Sequence, residues 1–118
     1  MAVITQVNGV RDANGAVNVT RTTLSASDSL TFQQGSDQIL LLYNTTASPV
    51  VVTLTGTAPV SLNPDGFGGT ISTAGGKAVT VPASGSTLLE LDDIWAFLAG
   101  TGAVTVTGGT GLTAHLYV

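Results

Sequence analysis

The side chains that could do chemistry are few, and His115, the only histidine, is the first to consider. It lies in Leu112–Val118, where strand-like alternation places it on the face opposite Ala114 and Leu116. Nucleophilic catalysis would need a serine or threonine held beside this ring, and the chain has no Gly-x-Ser-x-Gly elbow. The pattern therefore favours a histidine on the surface or on an edge strand.

Carboxylates that are close in sequence form the second candidate group: Glu90, Asp92 and Asp93. Paired carboxyl groups can act as general acid and base, and carboxylates can also bind Ca²⁺. The start of a helix explains the same residues, because its N-terminal end favours negative side chains. Asp65 lies in the turn sequence Asn63–Gly66, without the further carboxylates of a calcium loop. We therefore predict no metal site and no catalytic residue.

Two glycine-rich stretches, Gly66–Gly69 and Gly108–Gly111, lack both the lysine and the following helix of a phosphate-binding loop. They predict hairpin turns instead. Cysteine is absent from the chain, which excludes disulfides and thiolate metal sites. We expect a protein that is not an enzyme and that holds no cofactor.

The composition limits the possible partners and folds. The 118 residues suit one domain, and only 8% of them are charged, against about 25% in typical soluble domains. Three basic residues in a chain of net charge −4 cannot neutralise many phosphates, so we expect no nucleic-acid partner. Thr, Val and Ile supply about a third of the chain and charged helix formers are scarce, which favours β-structure.

The sequence gives no sign of a membrane or export segment. Its apolar runs are far shorter than the about 20 residues that a spanning helix needs. Met1–Gln6 has neither the basic flank nor the apolar core of a signal peptide. We therefore expect no membrane partner and synthesis in the cytoplasm.

Short strands separated by turns are predicted along most of the chain. Gln38–Thr45 and Val50–Thr55 are the most apolar candidates and are expected to form a hairpin inside a sheet. Ala103–Thr107 and Leu112–Val118 are expected to form a closing hairpin around Gly108–Gly111.

One short helix is predicted near residues 92–99, where Ile94, Phe97 and Leu98 share an apolar stripe. Trp95 and Phe97 are expected to close one end of a sheet core. The predicted fold class is therefore all-β. We expect a small antiparallel β-sandwich or barrel, jelly-roll-like, with this one helix and a single domain over residues 1–118.

Long stretches without charge suggest a surface that associates with other proteins. Gln38–Pro64 has no charged residue, and Ile39–Tyr43 and Val50–Val52 carry apolar residues on both faces of their strands. Such strands are covered on both sides, by a second sheet, a subunit or a larger partner. The composition alone thus favours a non-catalytic β module that works by lying against protein surfaces.

The overall pattern resembles the small decoration (cement) proteins of tailed bacteriophage heads. The resemblance rests on the start Met1–Gly9, on Asp92–Leu98 followed by Gly102–Gly109, and on the Thr/Gly/Val-rich texture between them. It implies a structural protein on the exterior of the virion capsid, made in the cytoplasm of the bacterial host. Such proteins bind the major capsid protein, commonly as homotrimers, and clamp neighbouring capsomers.

The same resemblance suggests a capsid or subunit contact at the N-terminal segment. Terminal arms of such proteins often touch the capsid, and residues 1–8 could form an arm that adds a strand to a neighbouring sheet edge. The alternative is that the segment is the first strand of the protein's own sheet. The candidate contact residues are Val3, Ile4, Thr5, Gln6 and Val7.

Two other functions are compatible with the same sequence. The protein could be a different phage structural part, such as a tail, fibre or head–tail joining component. It could also be a carbohydrate- or receptor-binding module, which would need an exposed aromatic platform built from Trp95, Tyr43, Phe67 or Tyr117.

Overall fold

The computed structural model describes residues 2–8, 18–57, 61–62, 66, 71–72 and 75–118, and most of its regular structure is β-strand. The strands are β1 (Gln6–Val7), β2 (Thr22–Thr23), β3 (Ser27–Thr31), β4 (Ile39–Asn44), β5 (Val50–Thr55), β6 (Ser61–Leu62), β7 (Ile71–Ser72), β8 (Lys77–Val81), β9 (Ser86–Glu90), β10 (Ala103–Thr107) and β11 (Leu112–Tyr117). Between β9 and β10, a 3₁₀ turn over Leu91–Ile94 leads into helix α1 (Trp95–Leu98).

The strands form two larger sheets that we call the front and back sheets. The front sheet has the order β2-β11-β4-β9, with β1 parallel to β11 on the same side as β2. The back sheet has the order β3-β10-β5-β8, and β6 pairs with β7 in a separate ribbon. Eight strands in these two orders are the topology of a jelly roll. The predicted β-sandwich is confirmed, and the sheets do not close into a barrel.

The core lies between the inner faces of the two sheets, because side chains along a strand alternate between its faces. In β10, Val104 and Val106 are buried while the threonines between and after them are exposed. In β4, Leu40 and Leu42 are fully buried. The other buried apolar residues of this cluster are Ile4, Leu24, Leu30, Phe32, Val52, Leu54, Val79, Val81, Leu91, Leu98, Leu112, Ala114 and Leu116.

The two expected hairpins are wrong, because the strands of each pair belong to different sheets. β4 lies in the front sheet and β5 in the back sheet, and β10 and β11 are separated in the same way. The chain turns the first corner at Asn44, which is fully buried. Its side-chain amide donates to the carbonyl oxygens of Ser48 (2.7 Å) and Val81 (3.2 Å). These bonds hold the chain across the sandwich and not along one sheet.

The second corner depends on glycine. Gly108 has a φ of +80°, a conformation that side-chain-bearing residues rarely adopt, and its N–H donates to the carbonyl oxygen of Ala26. A Cβ atom at Gly109 would lie 2.8 Å from Leu24. The glycines predicted as a hairpin turn therefore form an arch that lets the chain pass closely over the core.

The predicted helix is confirmed over Leu91–Leu98, but the side chains that close the core differ from those expected. Leu91 and Leu98 are fully buried, whereas Phe97 is half-buried and packs against the core cluster. Trp95 is 40% exposed, so its expected place in the core is wrong. Ile94 is also partly buried against this cluster, so the predicted stripe of Ile94, Phe97 and Leu98 does face the core, and Leu91 extends it.

The N-terminal segment pairs with both sheets of its own chain. Val3 forms a parallel bridge with Ser29 of β3, at the edge of the back sheet, and β1 then pairs with β11 of the front sheet. Ile4 and Val7 are buried, with 2% and 7% exposure. Of the two alternatives drawn from the sequence, the structure therefore shows a segment that closes one side of its own sandwich.

This packing predicts that alanine substitutions at two adjacent residues have very different effects on stability. Ile4→Ala should lower the free energy of unfolding by about 2–5 kcal/mol, because it removes a buried side chain from the core. The matched control is Val3→Ala, which shortens a side chain that is 65% exposed. This variant should change the free energy of unfolding by less than about 0.5 kcal/mol. Urea denaturation of both variants measures the difference. Equally small effects would show that the segment does not pack against the sandwich in solution.

Candidate functional site

The outer face of the front sheet is the most distinctive surface of the described structure. Three cross-strand rows run from β11 through β4 to β9, and we call them together the apolar face. The rows are Thr113–Tyr43–Ser86, His115–Leu41–Leu88 and Tyr117–Ile39–Glu90.

The side chains at the centre of the apolar face are accessible. Leu88 is 59% exposed and Tyr43 is 42% exposed, while Ile39 and Leu41 are partly exposed. The sequence predicted a cover on both sides of Ile39–Tyr43. The back sheet covers one side, and the other faces outward in the single chain.

The outer face of the back sheet has a different chemistry. With the exception of Val51, which is 55% exposed, it presents hydroxyl groups or small side chains along its strands. The hydroxyl-bearing residues are Ser27, Ser29, Thr31, Thr53, Thr55, Thr80, Thr105 and Thr107. Hydroxyls remain well solvated, so of the two outer sheet faces the front one carries most of the exposed aliphatic and aromatic area.

A shallow depression of about 220 Å³ crosses the apolar face from Arg21, beside β2, to Ser86 of β9. Tyr43 supplies an aromatic wall, and Arg21 supplies the one positive charge among the lining residues. Hydroxyl groups complete the rim. The full lining is Arg21, Leu41, Tyr43, Thr45, Ser86, Thr113 and His115.

His115 lies on this face, on a strand flanked by partners on both sides. Its ring stacks on that of Tyr117, with centroids 5.9 Å apart and planes 6° apart. Its Nδ1 atom is buried and has no hydrogen-bond partner. Burial lowers the pKa of His115 from its ordinary value of 6.5, and the positive charge of Arg21 lowers it further. The neutral ring is therefore a half-buried member of the apolar face.

The candidate contact residues of the N-terminal segment divide into two groups. The side chains of Val3 and Thr5 are exposed, whereas those of Ile4 and Val7 are buried. Gln6 is half-buried, and its side-chain oxygen accepts a hydrogen bond from the amide of the buried Gln38. Only Val3 and Thr5 thus present their full side chains to a partner, and contact of Val3–Val7 with a capsid or subunit stays a prediction.

A buried carboxylate anchors the beginning of this segment. Asp28 has no exposed surface and accepts hydrogen bonds from the backbone N–H groups of Ala2 (3.0 Å) and Ser25 (2.7 Å), and from the Ser25 hydroxyl (2.8 Å). Burial by itself raises the pKa of Asp28. The hydrogen bonds from Ser25 and Ala2 outweigh burial and hold that pKa below its ordinary value of 3.8. Asp28 is therefore a charged structural acceptor at neutral pH.

The acidic group singled out in the sequence also has a structural role. The two carboxylate oxygens of Asp92 accept hydrogen bonds from the N–H groups of Gly35 (2.8 Å) and Asp37 (3.1 Å). Asp92, Glu90 and Asp37 line a depression of about 240 Å³, while Asp93 is exposed. Among the residues that the structure describes, no cluster of His, Asp and Glu has the arrangement of a metal site.

Several sequence predictions fall outside the described residues. These include Asp65, the aromatic candidate Phe67 and the hairpin expected at Gly66–Gly69, of which only Gly66 is described.

Sequence reasoning missed Leu41 and Leu88 as surface residues. The signal was present in both cases, because Leu40–Leu42 and Leu88–Leu89 are runs in which consecutive residues must face opposite sides of a strand. What the sequence lacked was the knowledge of which side the second sheet covers. It also contained no signal for the buried polar residues Asp28 and Asn44.

The comparisons with known proteins give no relative. No protein-family model matches the sequence, and neither curated proteins nor solved structures show significant similarity to it. Within the described part of the chain, no helix has the length and hydropathy that a membrane crossing requires. The fold and the apolar face therefore carry the functional argument.

The burial of His115 predicts a pH dependence of stability. The unfolded chain takes up a proton near pH 6.5, whereas the folded chain resists it, so stability is full above this pH and falls as the pH decreases. Since His115 is the only histidine of the chain, wild type should lose stability between about pH 7.5 and 5.5. The slope should stay below about 1.4 kcal/mol per pH unit, the limit for one proton.

Urea denaturation at several pH values measures this slope in wild type and two variants. His115→Gln should remove it, and Tyr117→Phe, which retains the stacked ring, should keep it. An unchanged slope in His115→Gln would assign the dependence to another group.

Proposed function

We propose that this protein is a non-enzymatic structural component of a virion that binds the outer surface of the major capsid shell. In this role it stabilises the shell by clamping neighbouring capsomers. Both the sequence resemblance and the surface chemistry of the fold support this role. The protein would act on the exterior of the virion.

The observation that supports the proposal most is the near absence of charge from both outer faces of the sandwich. The back sheet presents hydroxyl and small side chains, and on the apolar face Glu90 is the one charged residue in the three cross-strand rows. A charge-poor surface of this size favours lasting contact with other protein surfaces over a dissolved, solitary state.

The fold suits such a role mechanically. Jelly rolls are common in viral capsid and lectin domains, although a fold alone does not specify a function. The N-terminal segment pairs with an edge of each sheet and so connects the two sheets along one side of the sandwich. On a repeating lattice, many copies would each make a weak contact, and together these contacts would attach the protein strongly without any catalysed reaction.

The capsid contact that we propose lies at the exposed side of Val3–Val7. Val3 and Thr5 are exposed, and the segment to which they belong already pairs with both sheets of its own chain. A capsid strand or loop could therefore contact these side chains while Ile4 and Val7 stay in the core.

A carbohydrate-binding function is the second candidate, because one observation favours it. The depression beside Tyr43 combines an exposed aromatic ring, the Arg21 guanidinium and several hydroxyls, which are groups that bind sugars. Trp95 is also exposed, while Tyr117 is only partly so. A role elsewhere in the virion, in a tail, fibre or head–tail joint, is the third candidate.

The test is rebinding to purified heads of the parent phage, before and after expansion. The purified protein should bind expanded heads at a copy number that follows the capsid lattice, and should raise the temperature at which they release DNA. Binding is measured by co-sedimentation. Failure to bind either form would contradict the proposal; recovery with tails or fibres would favour the third candidate, and binding to sugars the second.

Variants of the N-terminal segment test the proposed contact without unfolding the chain. Val3→Glu combined with Thr5→Glu should weaken head binding at least tenfold, since both residues are exposed and the change adds charge to the interface. The control Thr80→Glu, exposed on β8 of the back sheet, should bind as wild type and unfold at a similar temperature. Equal binding by all three proteins would place the capsid contact elsewhere.

A further inference from the structure

The apolar face has one charged residue at each of two opposite edges. Arg21 precedes β2, whose register places Thr23 opposite Thr113 and Thr22 opposite Ala114, so Arg21 lies beside His115. Glu90 ends β9 at the other edge, opposite Ile39. Both side chains are exposed.

These two charges are too far apart to pair within one chain. From β2 through β11 and β4 to β9 there are three strand spacings, which amount to about 14 Å. A salt bridge needs a separation of about 4 Å. At this backbone separation the two side chains could meet within one chain only by lying flat across the whole face, so a pair between two molecules is favoured.

We propose that the apolar face binds a second copy of this chain, with Arg21 of one copy against Glu90 of the other. The centre of the face is apolar, its rim carries hydroxyls, and its two edges carry opposite charges, so it is complementary to itself. When two such faces meet about a two-fold axis parallel to the strands, the β2 edge of each copy lies over the β9 edge of the other.

The occupant is a second copy because the face is complementary to itself, whereas the outer face of the back sheet is not complementary to it. The back sheet presents hydroxyls and no charged residue on its outer face. A partner for the apolar face must supply exposed aliphatic and aromatic groups with an acid on one side and a base on the other. Another apolar face has that arrangement.

The size of the face sets the expected affinity. Four strands about 4.8 Å apart and three rows about 6.8 Å apart cover roughly 400 Å², about half of what one partner buries in a standard interface. The association should therefore be weak, so that the two charges at the edges have a measurable effect. This inference does not depend on capsid binding, because the protein alone can test it.

Sedimentation velocity over a range of protein concentrations tests the proposal. Wild type should associate as the concentration rises, and Leu88→Glu, which places a charge in the centre of the face, should weaken association at least tenfold. The matched control Thr105→Glu adds the same charge to the outer face of the back sheet and should associate as wild type. A wild type that stays monomeric up to roughly 100 µM would overturn the proposal, as would equal loss in both variants.

Charge reversal tests the pairing between copies. Arg21→Glu and Glu90→Arg should each weaken association roughly tenfold, because every copy contributes to two such contacts. The double variant should return to within about threefold of wild type, because the pair is restored with its signs exchanged. A double variant weaker than either single variant would overturn the pairing. Saturable binding of a sugar to a monomeric wild type would instead assign the face to carbohydrate.

Discussion

The burial of alternating apolar side chains between two sheets is the interaction on which the rest of this structure depends. Leu40 and Leu42 from the front sheet and Val104 and Val106 from the back sheet lose nearly all contact with water. Apolar burial stabilises by about 25 cal/mol per Å², and a chain with few charges and no disulfides has few other means of stabilisation. Because each strand must turn one face inward, its other face is determined at the same time. The apolar face is thus a consequence of strands whose residues are apolar on both sides.

Buried polar groups decide how the chain moves between the sheets. Asn44 satisfies two carbonyl oxygens at a corner, Gln38 bonds the backbone of Thr31 and Gln33 where the chain passes from β3 to β4, and Asp28 holds the N-terminal segment. Each would be costly to bury without these partners, so each is compatible with one local path of the backbone. Together they favour arches over hairpins, which is what separates consecutive strands into a jelly roll.

This architecture gives the N-terminal segment and the apolar face different surface properties, and therefore different proposed contacts. The N-terminal segment pairs with both sheets of its own sandwich, and the capsid contact that we propose there uses the exposed side chains of Val3 and Thr5. The apolar face is broad and nearly uncharged, which suits contact with another copy. The two surfaces adjoin, because β1 pairs with β11 along the same edge of the front sheet as β2.

The sequence by itself determined the class of the fold, the short helix near residues 92–99 and the scarcity of charge, since these follow from composition and local periodicity. The period-two pattern also marked Ile39–Tyr43 as apolar on both faces. Only the tertiary structure decided that β4 and β5 lie in different sheets, that Trp95 faces outward and that Ile4 and Val7 enter the core. The reason is physical: alternation is a property of neighbouring residues, whereas sheet membership and the covered face are set by hydrogen bonds and packing between residues far apart in the chain.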